Sequence, residues 1–110
     1  MINEGEILEL YFYIPGVKEK YHPGIVVSNN NLNETEDSFY CVMLSSKAYN
    51  IEYIFDIKHD MLTKPISNLK GYAKTQILIR FEKRDIYRHL GFFKKEYLPK
   101  LKNKIIQSIF

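Results

Sequence analysis

The sequence predicts a mainly β domain with a C-terminal helix, either a small β-barrel or a sheet carrying a helical lid. Three observations predict it. Short runs rich in β-branched and aromatic residues recur between residues 6 and 79, separated by turn-forming stretches. From about Lys95 the period changes, and Leu98, Leu101, Ile105 and Ile109 fall at i, i+3, i+7 and i+11 with lysines opposite, which is a helical stripe. The 110 residues, 45% hydrophobic and 26% charged, suit a single domain spanning 1–110 that buries a core without disulfides.

The first strand is expected at about 6–13, where EILELYFY follows Gly5 and neither face is cleanly polar. Pro15-Gly16 is turn chemistry, and PGVKEKYHP, residues 15–23, reads as a charged loop. Ile25–Ser28 is a short buried strand. NNNLNETED, residues 29–37, has almost no apolar content and reads as an exposed loop. Strands follow at Phe39–Leu44 and at 51–57, then a turn or short strand in HDMLTKPI. Gly71–Lys74 leads into a strand at Thr75–Ile79, and Phe81–Asp85 is polar enough for a turn. The helix is expected over roughly 95–108, with Pro99 tolerated in its first turn.

Charge is distributed unevenly. Residues 1–55 hold three lysines against eight acidic residues, whereas 56–110 hold thirteen Lys and Arg against five. The basic second half suits an anionic partner such as nucleic acid, or serves only as a solvated lysine face. Cys41 is the single cysteine, set in an apolar run, so it reads as a buried inert thiol in a reducing cytoplasm. The acidic start lacks the basic n-region of a signal peptide, and no apolar run approaches the length of a membrane span. Phosphate-binding glycine loops, zinc-spaced Cys/His clusters and a serine-hydrolase elbow are all absent, and no metal or cofactor is expected.

Five blocks in order carry a resemblance that covers most of the chain. They are Gly5-Glu6-Ile7, then His22-Pro23-Gly24-Ile25-Val26-Val27-Ser28-Asn29, then Val42-Met43-Leu44-Ser45-Ser46, then Ala73-Lys74-Thr75-Gln76-Ile77, and finally Leu90-Gly91 with the terminal helix. In this order and spacing the chain resembles the MazF/PemK family, the toxins of bacterial type II toxin–antitoxin pairs. The resemblance implies an SH3-like barrel, a homodimer, and metal-independent cleavage of single-stranded RNA at short sequence motifs. It also implies a cognate antitoxin that covers the RNA groove. This chain departs from the family's pattern at three positions: His22 stands where the family has arginine, Ser45 where it has threonine, and Thr75 where it often has aspartate.

Metal-free RNA cleavage uses the 2′-hydroxyl as nucleophile, and needs a base, an acid for the leaving oxygen, and donors for the phosphate. Carried onto this sequence, His22 becomes the proton-transfer residue and Ser45 the hydroxyl that holds a phosphate oxygen. Tyr21 is expected to stack on a base, and Ser46, Lys47, Lys74, Thr75 and Gln76 to line the RNA path. His59 and His89 read as surface residues. The alternatives are an SH3-like module that binds RNA or protein without cutting, and inhibition of DNA gyrase, the activity of a related toxin group of similar fold.

Overall fold

The computed structural model describes residues 1–13, 21–69 and 71–110, so residues 15–20 of the expected charged loop, with its Pro15-Gly16 turn, lie outside the described residues. Six strands form one antiparallel sheet: β1 (Glu6–Tyr11), β2 (Tyr21–Val26), β3 (Phe39–Ser45), β4 (Ile54–Ile57), β5 (Gly71–Phe81) and β6 (Ile86–Phe92). Their order in the sheet is β4-β5-β3-β2-β1-β6. Among the described residues two helices, α1 (Asn30–Thr35) and α2 (Leu98–Ile109), accompany the sheet with four short 3-10 turns.

The mainly β class with a terminal helix holds, but the sheet is not a closed barrel. Strands β4 and β6 are its two edges. Among the described residues, the segments that follow these two edges meet at a bridge between Leu62 and Phe93, flanked by hydrogen bonds from Thr63 N–H to the Phe92 carbonyl and from Lys94 N–H to that of Met61.

Both faces of the curled sheet are buried, which is why β1 shows no clean polar alternation. On one face Ile7, Ile25, Val42 and Leu44 pack against Leu98, Leu101 and Ile105 of α2, with Leu62 and Phe93. On the other, Leu8, Leu10, Phe12, Val26, Phe39, Cys41, Met43 and Phe81 form a second cluster. Gly24 belongs to this second face. A Cβ there would stand 3.1 Å from Cys41 Cβ and from Phe12 Cζ, so the close approach of β1, β2 and β3 requires glycine. Gly5 has φ +89, open to glycine at little cost, and its N–H and carbonyl join Val26 to Phe93.

Several elements differ from expectation. Residues 29–37 are not a loop throughout but contain α1. Asn29 caps it by accepting from Leu32 N–H at 2.8 Å. The buried Asn33 amide donates to the carbonyls of Ile2 and Ser28 and accepts from the Ser28 hydroxyl. Polar side chains therefore anchor this helix, and it carries no apolar stripe to read. Strand β6 was missed because it is an edge strand whose Tyr87, Arg88 and His89 face solvent. His22 and Pro23 lie inside β2 and not in the loop before it. The helix α2 begins at Leu98, three residues after the expected start, because Lys95–Tyr97 is a 3-10 turn and Pro99 falls in the first helical turn. Among the described residues no helix is long and apolar enough to cross a membrane.

Candidate functional site

Strands β2, β3 and β5 end together at one rim of the sheet. The β2–β3 pairing runs from Val26↔Cys41 to Gly24↔Met43 and ends just before Pro23, whose nitrogen has no proton with which to extend a ladder. Continuing the same register by two residues brings His22 level with Ser45. Successive strand residues alternate between faces, so His22, Gly24 and Val26 share a face with Met43 and Ser45. The ring contact agrees: the His22 imidazole meets Phe12 edge-on, with centroids 6.2 Å apart.

Lys74 joins this face from β5. It pairs with Met43 in the ladder and with Ile54 of β4 on its other side. Its ammonium donates to the Tyr49 carbonyl at 3.4 Å and stands 5.4 Å from the centre of the Tyr49 ring. The side chain is only 7% exposed, and burial lowers the lysine pKa from its ordinary value. Among the described residues no carboxylate forms an ion pair with it, and a phosphate arriving at the rim would supply a counter-charge. Ser45 accepts from Lys47 N–H at 3.2 Å, which turns the chain back on itself so that Ser46 and Lys47 are exposed beside the rim. Cys41 lies deeper on the same face. Burial first, and then the Glu6 carboxylate, push its thiol pKa well up, so it stays a protonated core thiol.

The remaining expected site residues do not gather here. Tyr21 precedes His22 in β2, and its side chain leaves the opposite face, where it meets Tyr11. Strand β5 is bulged, its register jumping from Leu78 to Lys74 between Val42 and Met43, so Thr75 and Gln76 fall in the bulge. Gln76 is exposed. Thr75 is fully buried against α2. Its hydroxyl donates to the Tyr53 carbonyl at 2.7 Å, and the Ser108 hydroxyl lies 2.6 Å from it. Thr75 is thereby a strand-to-helix tie and offers nothing to a ligand. Thr75→Val, which leaves the Tyr53 carbonyl and Ser108 with one partner fewer, is expected to cost about 1–2 kcal/mol in denaturant unfolding while sparing any activity at the rim. An unchanged midpoint would remove Thr75 from the stability account.

His59 is exposed in a 3-10 turn. His89 bonds Glu6 through Nδ1 at 2.6 Å, and Arg88 bonds Glu9 at 2.8 Å, fastening β6 to β1. Among the described residues no group of three or more His, Cys, Asp or Glu side chains is placed to hold a metal ion. Sequence reasoning missed Tyr49 as the partner of Lys74. A tyrosine in an irregular segment carries no local sign of which strand it will cover.

The sequence matches the family model described as PemK-like, MazF-like toxin of type II toxin-antitoxin system over residues 3–109. No curated protein matches it significantly. Solved structures match over nearly the whole length. A mycobacterial endoribonuclease in complex with its cognate antitoxin shares 18% identity at a TM-score of 0.74, covering 98% of this chain and 94% of that one. MazF from Deinococcus radiodurans shares 14% at 0.76, covering 96% and 94%. The Mycobacterium tuberculosis toxin MazF-mt6 shares 10% at 0.72, covering 94% of each. With the family model spanning nearly every residue and the same fold in these structures, the chain belongs to the PemK-like, MazF-like toxins of type II toxin–antitoxin systems.

Proposed function

We propose that this toxin cuts single-stranded RNA at short sequence motifs, without a metal ion, at the rim formed by His22, Ser45 and Lys74. What supports the reading is the strand register, which puts an imidazole, a hydroxyl and a partly buried ammonium on one sheet face near the ends of three adjacent strands, in a chain of this family. The 2′-hydroxyl attacks phosphorus, forming the O2′–P bond as the P–O5′ bond breaks. The 2′ proton leaves to a base and a proton reaches O5′, giving a 2′,3′-cyclic phosphate and a 5′-hydroxyl. His22 exchanges protons with these oxygens. The Ser45 hydroxyl and the Lys74 ammonium donate to the non-bridging phosphate oxygens, on which charge builds in the transition state. Ser46 and Lys47, exposed beside the rim, contact the RNA backbone. The partners are a cognate antitoxin that covers the same rim and a second copy of the chain, and the setting is the cytoplasm.

The test is incubation of the purified protein with a long single-stranded RNA in EDTA, with ends mapped by primer extension. Discrete cuts are expected. RNA retained on a filter at low salt but left intact would instead establish a binding module. Lys74→Met separates a functional lysine from a structural one. Because the folded state holds Lys74 below its unfolded pKa, the charged form carries a folding penalty, present below the folded pKa and gone above the unfolded one. Removing the charge is therefore expected to leave the midpoint of thermal unfolding within a few degrees of wild type, or above it, while cutting slows by roughly a hundredfold. Slower cutting accompanied by a large loss of stability would make Lys74 a packing residue.

A further inference from the structure

A second surface lies on the face of the sheet opposite His22. Tyr11 and Tyr21 are cross-strand partners on β1 and β2, with ring centroids 5.2 Å apart and edge-on. Tyr87 of the edge strand β6 stands 5.0 Å from Tyr21. These three and Tyr13 are exposed by 45, 51, 62 and 80% respectively, and together with Arg84 they line a cleft of about 490 Å³. The Arg88 guanidinium stands 5.9 Å from the centre of the Tyr87 ring. Four tyrosines gathered in water at one end of a sheet, each contacting or neighbouring another, form a preorganised apolar and polarisable surface.

We propose that this tyrosine cleft is a stacking platform for the bases of single-stranded RNA that flank the cut site. The proposal rests on the RNA-cutting reading above and assigns a binding subsite to it. Tyrosine rings offer π faces to any base, and arginines beside them supply the charge that tracks a phosphate backbone. Arg84 and Arg88 are now paired with Glu82 and Glu9 at 3.1 and 2.8 Å. The Arg84–Glu82 pair is open to solvent, and exposed ion pairs of this kind are weak enough for a phosphate to displace, while Arg88 stays on the largely buried Glu9. The one carboxylate in the cleft, Asp85, is already engaged by the Glu82 N–H at 2.8 Å. Tyr21 and His22 are consecutive in β2, so the two surfaces adjoin at the start of that strand.

The test is fluorescence anisotropy with a 2′-O-methylated RNA oligomer of about 12 nucleotides, which keeps bases and phosphates but cannot be cut through its 2′ oxygen. Tyr87→Ala is expected to weaken binding by roughly tenfold, and Tyr87→Phe, which keeps the ring, by less than about twofold. Sedimentation of the same samples reports assembly. If the wild type binds and Tyr87→Ala binds equally well, the platform is overturned while the RNA-cutting reading stands. If Tyr87→Ala breaks an assembly that the wild type forms, the cleft is a subunit interface and the proposal fails. If the wild type neither binds this oligomer nor cuts unmodified RNA, the functional reading itself fails, and the platform with it.

Discussion

His22→Ala is expected to lower the rate of RNA cleavage by about a thousandfold while leaving RNA affinity nearly intact, since positioned proton transfer contributes roughly two to four orders of magnitude. The affinity is retained because the phosphate contacts assigned to Ser45, Lys47 and Lys74 come from β3, β5 and the turn after β3, none of which depends on the imidazole. The imidazole is half-buried and packs edge-on against Phe12, so the midpoint of thermal unfolding is measured beside the rate to separate chemistry from folding. His22→Arg sharpens the test. An arginine restores positive charge at the rim but cannot exchange a proton near neutrality, so it should rescue affinity and not rate if His22 acts in proton transfer. An alanine variant that cuts at the wild-type rate would move the chemistry away from this strand.

Leu101→Ala should lower stability by about 3 kcal/mol, within the range of roughly 2–5 seen for buried leucines, and so lower the midpoint of thermal unfolding by about 10 °C or more. Leu101 is fully buried between Leu98 and Ile105 on the α2 stripe, against the face built by Ile7, Ile25, Val42 and Leu44. A cavity at the centre of the stripe leaves both layers underpacked. Ile106→Ala on the same helix is the control. Ile106 is 55% exposed, so its truncation should change stability by less than about 0.5 kcal/mol. Equal effects from the two positions would mean that α2 does not dock through the stripe, and would undo the account of how the sheet is covered. A domain of this size has only about 5–15 kcal/mol in total, so Leu101→Ala should also reduce the amount of active protein in cells.

Where local chemistry dominates, the structure was legible. The strands at 6–11 and 39–45 follow from dense β-forming residues, and α2 follows from a stripe that repeats over three turns. The single buried cysteine and the blocks around His22 and Ser45 were also visible from residue type and order. The failures share a cause. Helix α1 is held by Asn29 and Asn33 bonding to backbone from Ile2 to Leu32, and such side chains look like loop residues until their distant partners are known. Strand β6 borrows its hydrogen bonds from β1, nearly eighty residues earlier, and puts polar side chains into solvent.

The candidate site divides along the same line. Sequence alone determined which residue types were present: an imidazole held by a proline, a serine ending a strand, lysines near both, and a C-terminal stripe that demands a sheet to cover. Tertiary structure decided which of them meet. Antiparallel register brings His22, Ser45 and Lys74 to one rim although fifty-odd residues separate the first from the last. A bulge in β5 and the alternation of strand faces turn Thr75 inward to Ser108 and send Tyr21 to the opposite face, beside Tyr11 and Tyr87. Residue identity sets what chemistry is available, but a face is a property of register. A shift of one residue in pairing exchanges the two faces, and that register is set by packing across the whole sheet.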